Sequence, residues 1–208
     1  MSSKIQFALL LTSIVMTLRP AWSQDSTFYA NNQLRSVGVT DTQGKQGTWY
    51  FYYPNGAKNS TENYINDIMN GKAVYYHTNG NVSAREYWEN GIPTDSAHYF
   101  HENGVIKRKG LYAKGLYAGL WLVYYPNGQL ERSGTYIDGL PAGEWLNYNE
   151  QGVLIEKGYY LNGKQHGFFQ FFDDKGRPTY EGNYEDGTEV GEWFVYNKKG
   201  KKRLFETY

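Results

Sequence analysis

Residues 119–139 read GLWLVYYPNGQLERSGTYIDG, and this stretch decides the fold. A run rich in aromatic and β-branched residues precedes Pro126-Asn127-Gly128, and a second short run follows it. The second run ends at Tyr136, just before the pair Asp138-Gly139. Asn-Gly and Asp-Gly pairs favour tight turns between antiparallel strands. The stretch therefore predicts a β-hairpin followed by a second tight turn.

The same pattern recurs every 24 residues through the chain. A degenerate first unit carries Asn32 in a glycine position, because asparagine also tolerates positive φ. Eight units are therefore predicted, in an all-β, elongated, single-layer antiparallel β-meander whose stability is summed over neighbouring units. The glycine after the first run of each later unit marks the repeat: Gly56, Gly80, Gly104, Gly128, Gly152, Gly176 and Gly200.

The spacing also predicts a strand register. A two-residue turn at Asn127-Gly128 pairs Trp121 with Gly134, so that the large ring lies over a residue without a side chain. The same rule pairs Trp145 with Gly158. A longer turn with a bulge would shift this pairing by one residue.

The composition excludes several classes of protein. The chain has 208 residues, no cysteine and a formal net charge of zero, while aromatic residues make up 18%. Thiol nucleophiles, thiolate metal sites and disulfides are therefore excluded. A chain without a positive excess lacks the electrostatic attraction that phosphate backbones select, so nucleic acid is not an expected partner.

The N-terminus has the pattern of a secretory signal. Lys4 precedes an apolar run over 5–18, and Ala21 and Ser23 supply the small residues that signal peptidase requires. This pattern predicts a signal peptide over 1–23, cleaved after Ser23, and a repeat domain over 24–208. The alternative is an uncleaved anchor, although the run is shorter than the roughly 20 residues that span a bilayer. We expect an exported protein located in the periplasm, at the cell surface or in the medium.

The pattern Gly119-x-Trp121-x-x-Tyr124-x-x-Asn127-Gly128 and its continuation to Gly139 resemble the bacterial MORN-repeat variant over roughly residues 24–208. The resemblance implies a hairpin meander that acts as a scaffold or interaction surface, without catalytic residues. Some bacterial members are labelled antitoxins. Aromatic cell-wall-binding repeats also look similar, but their period is near 20 residues. The sequence departs from the MORN pattern where rings or glycines are expected: Ala73, Ala97, Asp67 and Asp95.

Four histidines raise the question of metal binding. His77 and His101 occupy the same position in consecutive units, which places them about 10 Å apart, too far to share one metal ion. We expect this position to be exposed and tolerant of substitution. No catalytic, metal or cofactor site is predicted.

The expected function is that of a non-enzymatic exported scaffold that binds a protein partner. Alternatives are a Tyr/Trp-rich ribbon that binds a surface glycan or the membrane, and an antitoxin or immunity protein. Aromatic rings are frequent binding anchors, although the same rings could instead hold the sheet together. The expected exposed anchors are Tyr124, Tyr125, Trp145, Tyr148 and Trp193.

A second candidate site lies in the middle of the chain. Ala73 and Ala97 stand where flanking units have Trp49 and Trp121, so two consecutive units lack the large ring. This absence predicts a shallow depression that could accept a partner side chain or a sugar ring, whereas simple decay of the repeat would need no function. The residues assigned to the depression are Ala73, Tyr75, His77, Ala97, Tyr99 and His101.

Overall fold

A computed structural model describes residues 21–208, which form eighteen β-strands. The predicted signal peptide, 1–23, falls almost wholly outside these residues. Within 21–208 no helix is long and apolar enough to cross a membrane. The strands are β1 (Ser23–Phe28), β2 (Leu34–Asp41), β3 (Gly44–Tyr52), β4 (Lys58–Ile65), β5 (Ile68–Met69), β6 (Gly71–Tyr76), β7 (Val82–Glu89), β8 (Ile92–Phe100), β9 (Ile106–Ala113), β10 (Leu116–Tyr124), β11 (Leu130–Ile137), β12 (Leu140–Tyr148), β13 (Leu154–Leu161), β14 (Lys164–Gln165), β15 (Gly167–Phe172), β16 (Pro178–Glu185), β17 (Thr188–Tyr196) and β18 (Lys202–Thr207).

Each strand pairs antiparallel with its neighbour in sequence, so the chain forms one open sheet. Strands β5 and β6 both pair with β4, and β14 and β15 both pair with β13, so each couple acts as one interrupted strand. The sheet therefore consists of eight hairpins in a meander. This architecture confirms the predicted fold class.

The predicted pairing is confirmed, although the turn that produces it is longer than two residues. Trp121 pairs with Gly134, whereas Tyr124 pairs with Leu130 after a register shift. The amide of Gly128 donates to the carbonyl of Tyr125 at 2.9 Å, and Gly128 has a φ of 88°. The loop has one residue more than the predicted turn, which shifts the strand pairing by one residue. A bulge on β11 then shifts the pairing back, so that Trp121 pairs with Gly134 as predicted.

Two departures from the repeat keep the backbone geometry of the glycines that they replace. Asp67 has a φ of 63° in a tight turn, and Asp95 has a φ of 57° at a bulge. Aspartate tolerates this left-handed region better than most residues. The Asp67 carboxylate also accepts a hydrogen bond from the amide of Lys45 at 2.9 Å. Neither aspartate therefore interrupts the meander.

The core is a line of rings on one face of the sheet, which we call the aromatic spine. From β9 to β17 the rings contact one another in sequence, with centroids 4.4 Å apart between Tyr117 and Trp121 and 5.1 Å apart between Tyr136 and Trp145. The spine excludes water from an otherwise single-layer sheet. Its large rings are Trp49, Trp121, Trp145, Phe169 and Trp193, all buried.

Each large ring covers a glycine of the preceding hairpin, which corrects the expectation that Trp121 covers Gly134. A Cβ atom built on Gly110 would lie 2.2 Å from the Trp121 ring. The indole nitrogen of Trp121 also donates to the carbonyl of Leu111 on β9 at 3.0 Å. Gly134 is instead covered by Trp145. The spine therefore joins successive hairpins, since each ring crosses the junction between two units.

Candidate functional site

The two units without a large ring carry a second change. In five units a ring covers the residue eleven positions earlier, and that residue is glycine. Ala73 and Ala97 replace the ring, and the residues eleven positions before them are Glu62 and Glu86. A buried ring over a glycine is thus exchanged for an alanine beside a carboxylate. The exchange affects both members of the pair, as compensation for lost volume requires.

The glutamates fill the space that the missing rings leave. Ala73 is 0% exposed and Ala97 is 1% exposed, so the sheet above the alanines is covered rather than open. Glu86 accepts a hydrogen bond from the Tyr99 hydroxyl at 2.6 Å and another from the Trp88 indole at 3.1 Å. Glu62 likewise accepts bonds from Ser60 and Tyr64. Both carboxylates are therefore held by donors from neighbouring side chains.

Burial and the nearby carboxylates raise the pKa of two tyrosines in these units. Burial and then the hydrogen bond to Glu86 raise the pKa of Tyr99 far above its ordinary value of 10.0. Burial and then the charges of Glu62 and Glu86 raise the pKa of Tyr75. Both hydroxyls consequently remain protonated at physiological pH. The Tyr99 hydroxyl donates to the Glu86 carboxylate.

A cleft of about 550 Å³ opens beside Glu86, and we call it the Glu86 cleft. Tyr75 and Tyr99 each pair with Ala84, so the two tyrosines stand one strand away on either side of a small residue. Tyr99 also pairs with Arg108, whose guanidinium lies 4.1 Å from the Tyr99 ring centroid. The lining residues are Tyr75, His77, Ser83, Ala84, Glu86, Tyr99, Phe100, Lys107 and Arg108.

Half of the residues assigned to the depression line this cleft. Tyr75, His77 and Tyr99 are among its walls, whereas Ala73 and Ala97 are covered beneath the neighbouring side chains. The predicted depression over the two alanines is therefore displaced toward Ala84. The displacement arises because glutamate fills the positions under the missing rings.

The two histidines replace tyrosines that join one hairpin to the next. His77 Nε2 donates to the carbonyl of Phe100 at 3.0 Å, and His101 Nε2 donates to the carbonyl of Tyr124 at 2.8 Å. Tyr53 donates an equivalent bond at 2.8 Å. The expectation of an exposed, tolerant position is wrong, because both histidines are half-buried and bonded. Among residues 21–208 no group of three or more His, Cys, Asp or Glu side chains is arranged for a metal ion.

The aromatic residues expected as exposed anchors are mostly structural. Trp145 is 8% exposed and Trp193 is 0% exposed, so the expectation of exposure is wrong for both. They are buried because each covers a glycine of the preceding hairpin. Tyr124, Tyr125 and Tyr148 are half-buried, and the Tyr125 hydroxyl donates to the Tyr148 carbonyl at 2.8 Å.

A row of exposed aliphatic side chains lies at the tight turns between hairpins, along the edge opposite the Pro-Asn-Gly turns. Its aliphatic side chains are between 47% and 62% exposed. Each residue after a turn packs toward the turn glycine of the next unit, as Leu116 does toward Gly139. The sequence signal was the recurrence of Ile or Leu directly after the turn. We call this surface the aliphatic ridge; it comprises Ile65, Ile68, Ile92, Leu116, Ile137, Leu140 and Leu161.

Comparison with known proteins gives matches of two kinds. Two solved structures are similar at 12% sequence identity and a TM-score of 0.20: the crystal structures of TcdB2-TccC3 and of TcdB2-TccC3-Cdc42. The alignments cover 85% and 89% of this chain but only 14% of those chains. No curated protein matches. The family model described as MORN repeat variant matches residues 45–66, 118–138 and 142–162, so these three hairpins are similar to repeats that generally mediate interactions.

Proposed function

We propose that the protein is a non-enzymatic, exported scaffold that binds a protein partner along the aliphatic ridge. The observation that carries this proposal is the row of aliphatic side chains at successive turns, each about half exposed. Contiguous exposed apolar surface favours a protein interface because its burial on association is favourable. The similarity of three hairpins to MORN repeat variants supports an interaction role.

The geometry of the ridge favours an extended partner segment. Successive units are two strands apart, so equivalent ridge residues recur at intervals of about 10 Å. Leu116 and Leu140 each lie against a turn glycine of the next unit, which fixes the direction of the side chain. A partner with apolar side chains spaced along an extended or helical segment would contact several units at once. Such repeated contacts add in affinity.

The non-enzymatic part of the proposal rests on the bonds that the polar side chains already make. His77 and His101 each donate to a backbone carbonyl of the next hairpin. Glu62 and Glu86 each accept bonds from aromatic donors. These four side chains therefore have structural partners within the meander.

Export is supported by the N-terminal sequence and is compatible with the first hairpin. Cleavage after Ser23 would leave Gln24 to Phe28 in β1, still paired with β2. The side-chain bond lost with Ser23 is the exposed 3.3 Å contact with Thr40. The first unit would therefore survive processing. The antitoxin alternative is less well supported, since a cytoplasmic toxin would be separated from an exported protein.

Site-specific photo-crosslinking in the native host tests the ridge. A photoreactive residue at Leu116 or Leu140 should give an adduct of the same discrete mass, identified by mass spectrometry. The control positions are Gln151 and Lys175, which are exposed at the Pro-Asn-Gly edge. Leu116→Asn should weaken the adduct formed at Leu140 while the melting temperature stays unchanged. Equal adducts at ridge and control positions would contradict the proposal, and retention in the cytoplasm would contradict export.

A further inference from the structure

The Glu86 cleft is separate from the aliphatic ridge, since no ridge residue lines it. We infer that this cleft binds a sugar ring of a saccharide, between Tyr75 and Tyr99 and above Ala84. The inference stands independently of the proposed protein interface. It rests on the shape of the slot and on the hydrogen-bonding capacity of its walls.

The slot has the dimensions of a flat ring. Tyr75 and Tyr99 flank Ala84 in the sheet, so their strands are about 10 Å apart. Ala84 is 7% exposed and contributes only a methyl group to the floor. Aromatic faces carry negative potential and attract polarised C–H groups, which a pyranose presents on its two faces. A sugar ring can therefore stack against either tyrosine while its edge groups point along the cleft.

Other units lack this slot. In the next unit, the position equivalent to Ala84 is Arg108, which pairs with Tyr99 on one side and with Val123 on the other. The long side chain of Arg108 occupies the position that a methyl group has in the Glu86 cleft. Ser60 lies between Phe51 and Tyr75, but it is 0% exposed and therefore covered. The small residue that lines the cleft between two tyrosines, Ala84, therefore lies on the same strand as Glu86, one of the two glutamates that replace glycine.

The walls retain both acceptors and donors. The two oxygens of Glu86 each accept one bond, and a carboxylate has about four acceptor sites in all. Arg108 donates from Nη1 to the Tyr117 hydroxyl at 3.1 Å, which uses one of its five N–H groups. The Nδ1 atom of His77 is an acceptor when Nε2 carries the proton that bonds Phe100.

This mixture distinguishes a sugar from a simple ion. Among the described residues, the ion pairs within 4.0 Å are Arg132–Glu131, Arg177–Asp173 and Lys202–Glu181, so neither Glu86 nor Arg108 is neutralised by a salt bridge. The cleft is lined by two cations, Lys107 and Arg108, and one carboxylate, Glu86, so a simple ion of either sign is attracted by part of the lining and repelled by the rest. Sugar hydroxyls both donate and accept, so a sugar satisfies both kinds of wall.

Nuclear magnetic resonance on the full chain tests the inference, because the Trp88 indole donates directly to Glu86 and reports on the cleft. The probes are tetrasaccharides of N-acetylglucosamine, glucose and galactose, with tetramethylammonium and citrate as ionic controls. At least one tetrasaccharide should shift the Trp88 indole N–H signal more than those of Trp145 and Trp193. Arg108→Gln should weaken that binding about tenfold, because bonds to charged groups are among the stronger ones.

Two variants separate a binding role from a structural one. Arg132→Gln changes the equivalent residue of the next unit and should leave binding unchanged. Ala84→Leu fills the slot and should abolish binding while the other five indole signals keep their positions. The inference is overturned if none of the three tetrasaccharides shifts Trp88 at about 10 mM. It is also overturned if only tetramethylammonium or citrate shifts it, or if Arg108→Gln and Arg132→Gln weaken binding equally.

Discussion

The units around Trp145 and those around Glu86 share one backbone pattern but have opposite interiors. Near Trp145 a large ring covers Gly134, and its contacts are with other rings. Near Glu86 an alanine replaces the ring, and a carboxylate bonded to Tyr99 occupies the space. The comparison teaches that the hairpin requires a filled volume above the sheet. Either an apolar ring or a bonded carboxylate can supply that volume.

The two interiors differ in how much they contribute to the free energy of folding. A buried indole removes about 150–250 Å² from water, worth roughly 4–6 kcal/mol by area before entropy is subtracted. A carboxylate in the same place adds hydrogen bonds whose net value is about 1–3 kcal/mol each, less the cost of partial desolvation. The ring units therefore stabilise the sheet, whereas the central units give up stability and gain a polar cleft.

The largest expected effect comes from placing glutamate under a ring. Gly134→Glu should destabilise the protein by about 4 kcal/mol, because the new side chain and Trp145 cannot occupy the same volume. At about 2–4 °C per kcal/mol, the melting temperature should fall by roughly 10 °C. The control is Glu86→Gly, with an expected loss of about 1–2 kcal/mol from missing hydrogen bonds. Equal losses in the two variants would contradict the paired exchange.

Placing a large ring in a central unit tests the same exchange in the opposite direction. Ala97→Trp should cost about 3 kcal/mol when Glu86 is present, because the indole is directed at the glutamate. Combining it with Glu86→Gly should restore at least about 2 kcal/mol and create a ring unit. Thermal unfolding of the two single variants and the double variant forms the cycle. Additive effects would show that positions 86 and 97 are independent.

Alkaline pH should weaken the protein through its tyrosines. Burial and then the charge of Glu189 raise the pKa of Tyr184 from 10.0 to about 12. In the unfolded state the Tyr184 hydroxyl loses its proton near pH 10, before the folded state does. The contribution of Tyr184 to stability is therefore fully present below pH about 10 and is lost as pH rises through the folded pKa. Glu86→Gln removes the charge that raises the pKa of Tyr99, so this variant should lose less stability from pH 9 to 12. Glu144→Gln is the control, and denaturant unfolding at each pH is the measurement.

Acid pH should affect the buried carboxylate of the ring units. Burial alone would raise the pKa of Glu181, but bonds from Lys202, Tyr196 and Gln170 lower it below its ordinary value of 4.5. Its contribution is therefore present above pH about 4.5 and is lost as pH falls through the lower folded pKa. Glu181→Gln should flatten the acid dependence of stability, whereas Glu192→Gln should not. An unchanged acid profile in Glu181→Gln would contradict this role.

The smallest expected effect concerns the bonds that join one hairpin to the next. His77→Tyr should change stability by less than about 0.5 kcal/mol, because Tyr53 makes the equivalent bond in its own unit. His77→Ala should cost about 1 kcal/mol through loss of the bond to Phe100. Urea unfolding distinguishes the two. A larger loss in His77→Tyr than in His77→Ala would show that the central units need the imidazole.

The sequence predicted the fold and the strand pairing well, because both depend on turns that repeat at a fixed interval. It did not predict which glycine Trp121 covers, since Gly110 and Gly134 both flank it and the strand register does not fix the direction in which the ring leans. It misjudged Trp193 as exposed because a single-layer sheet was expected to have open faces. The replacement of glycine by Glu86 was readable, but only when positions eleven residues apart were compared.

The coupling across hairpin junctions also bears on how the chain could have grown. The ring and the residue that it covers lie eleven positions apart on two different hairpins, so copying one hairpin would separate them. A copied segment of 24 residues that ends at the ring position, such as 50–73, keeps Glu62 and Ala73 together. Segment 74–97 carries Glu86 and Ala97 in the same places. One tandem duplication would therefore suffice to spread the polar pair, and the copied segment 50–73 begins six residues after the start of the hairpin at Gly44.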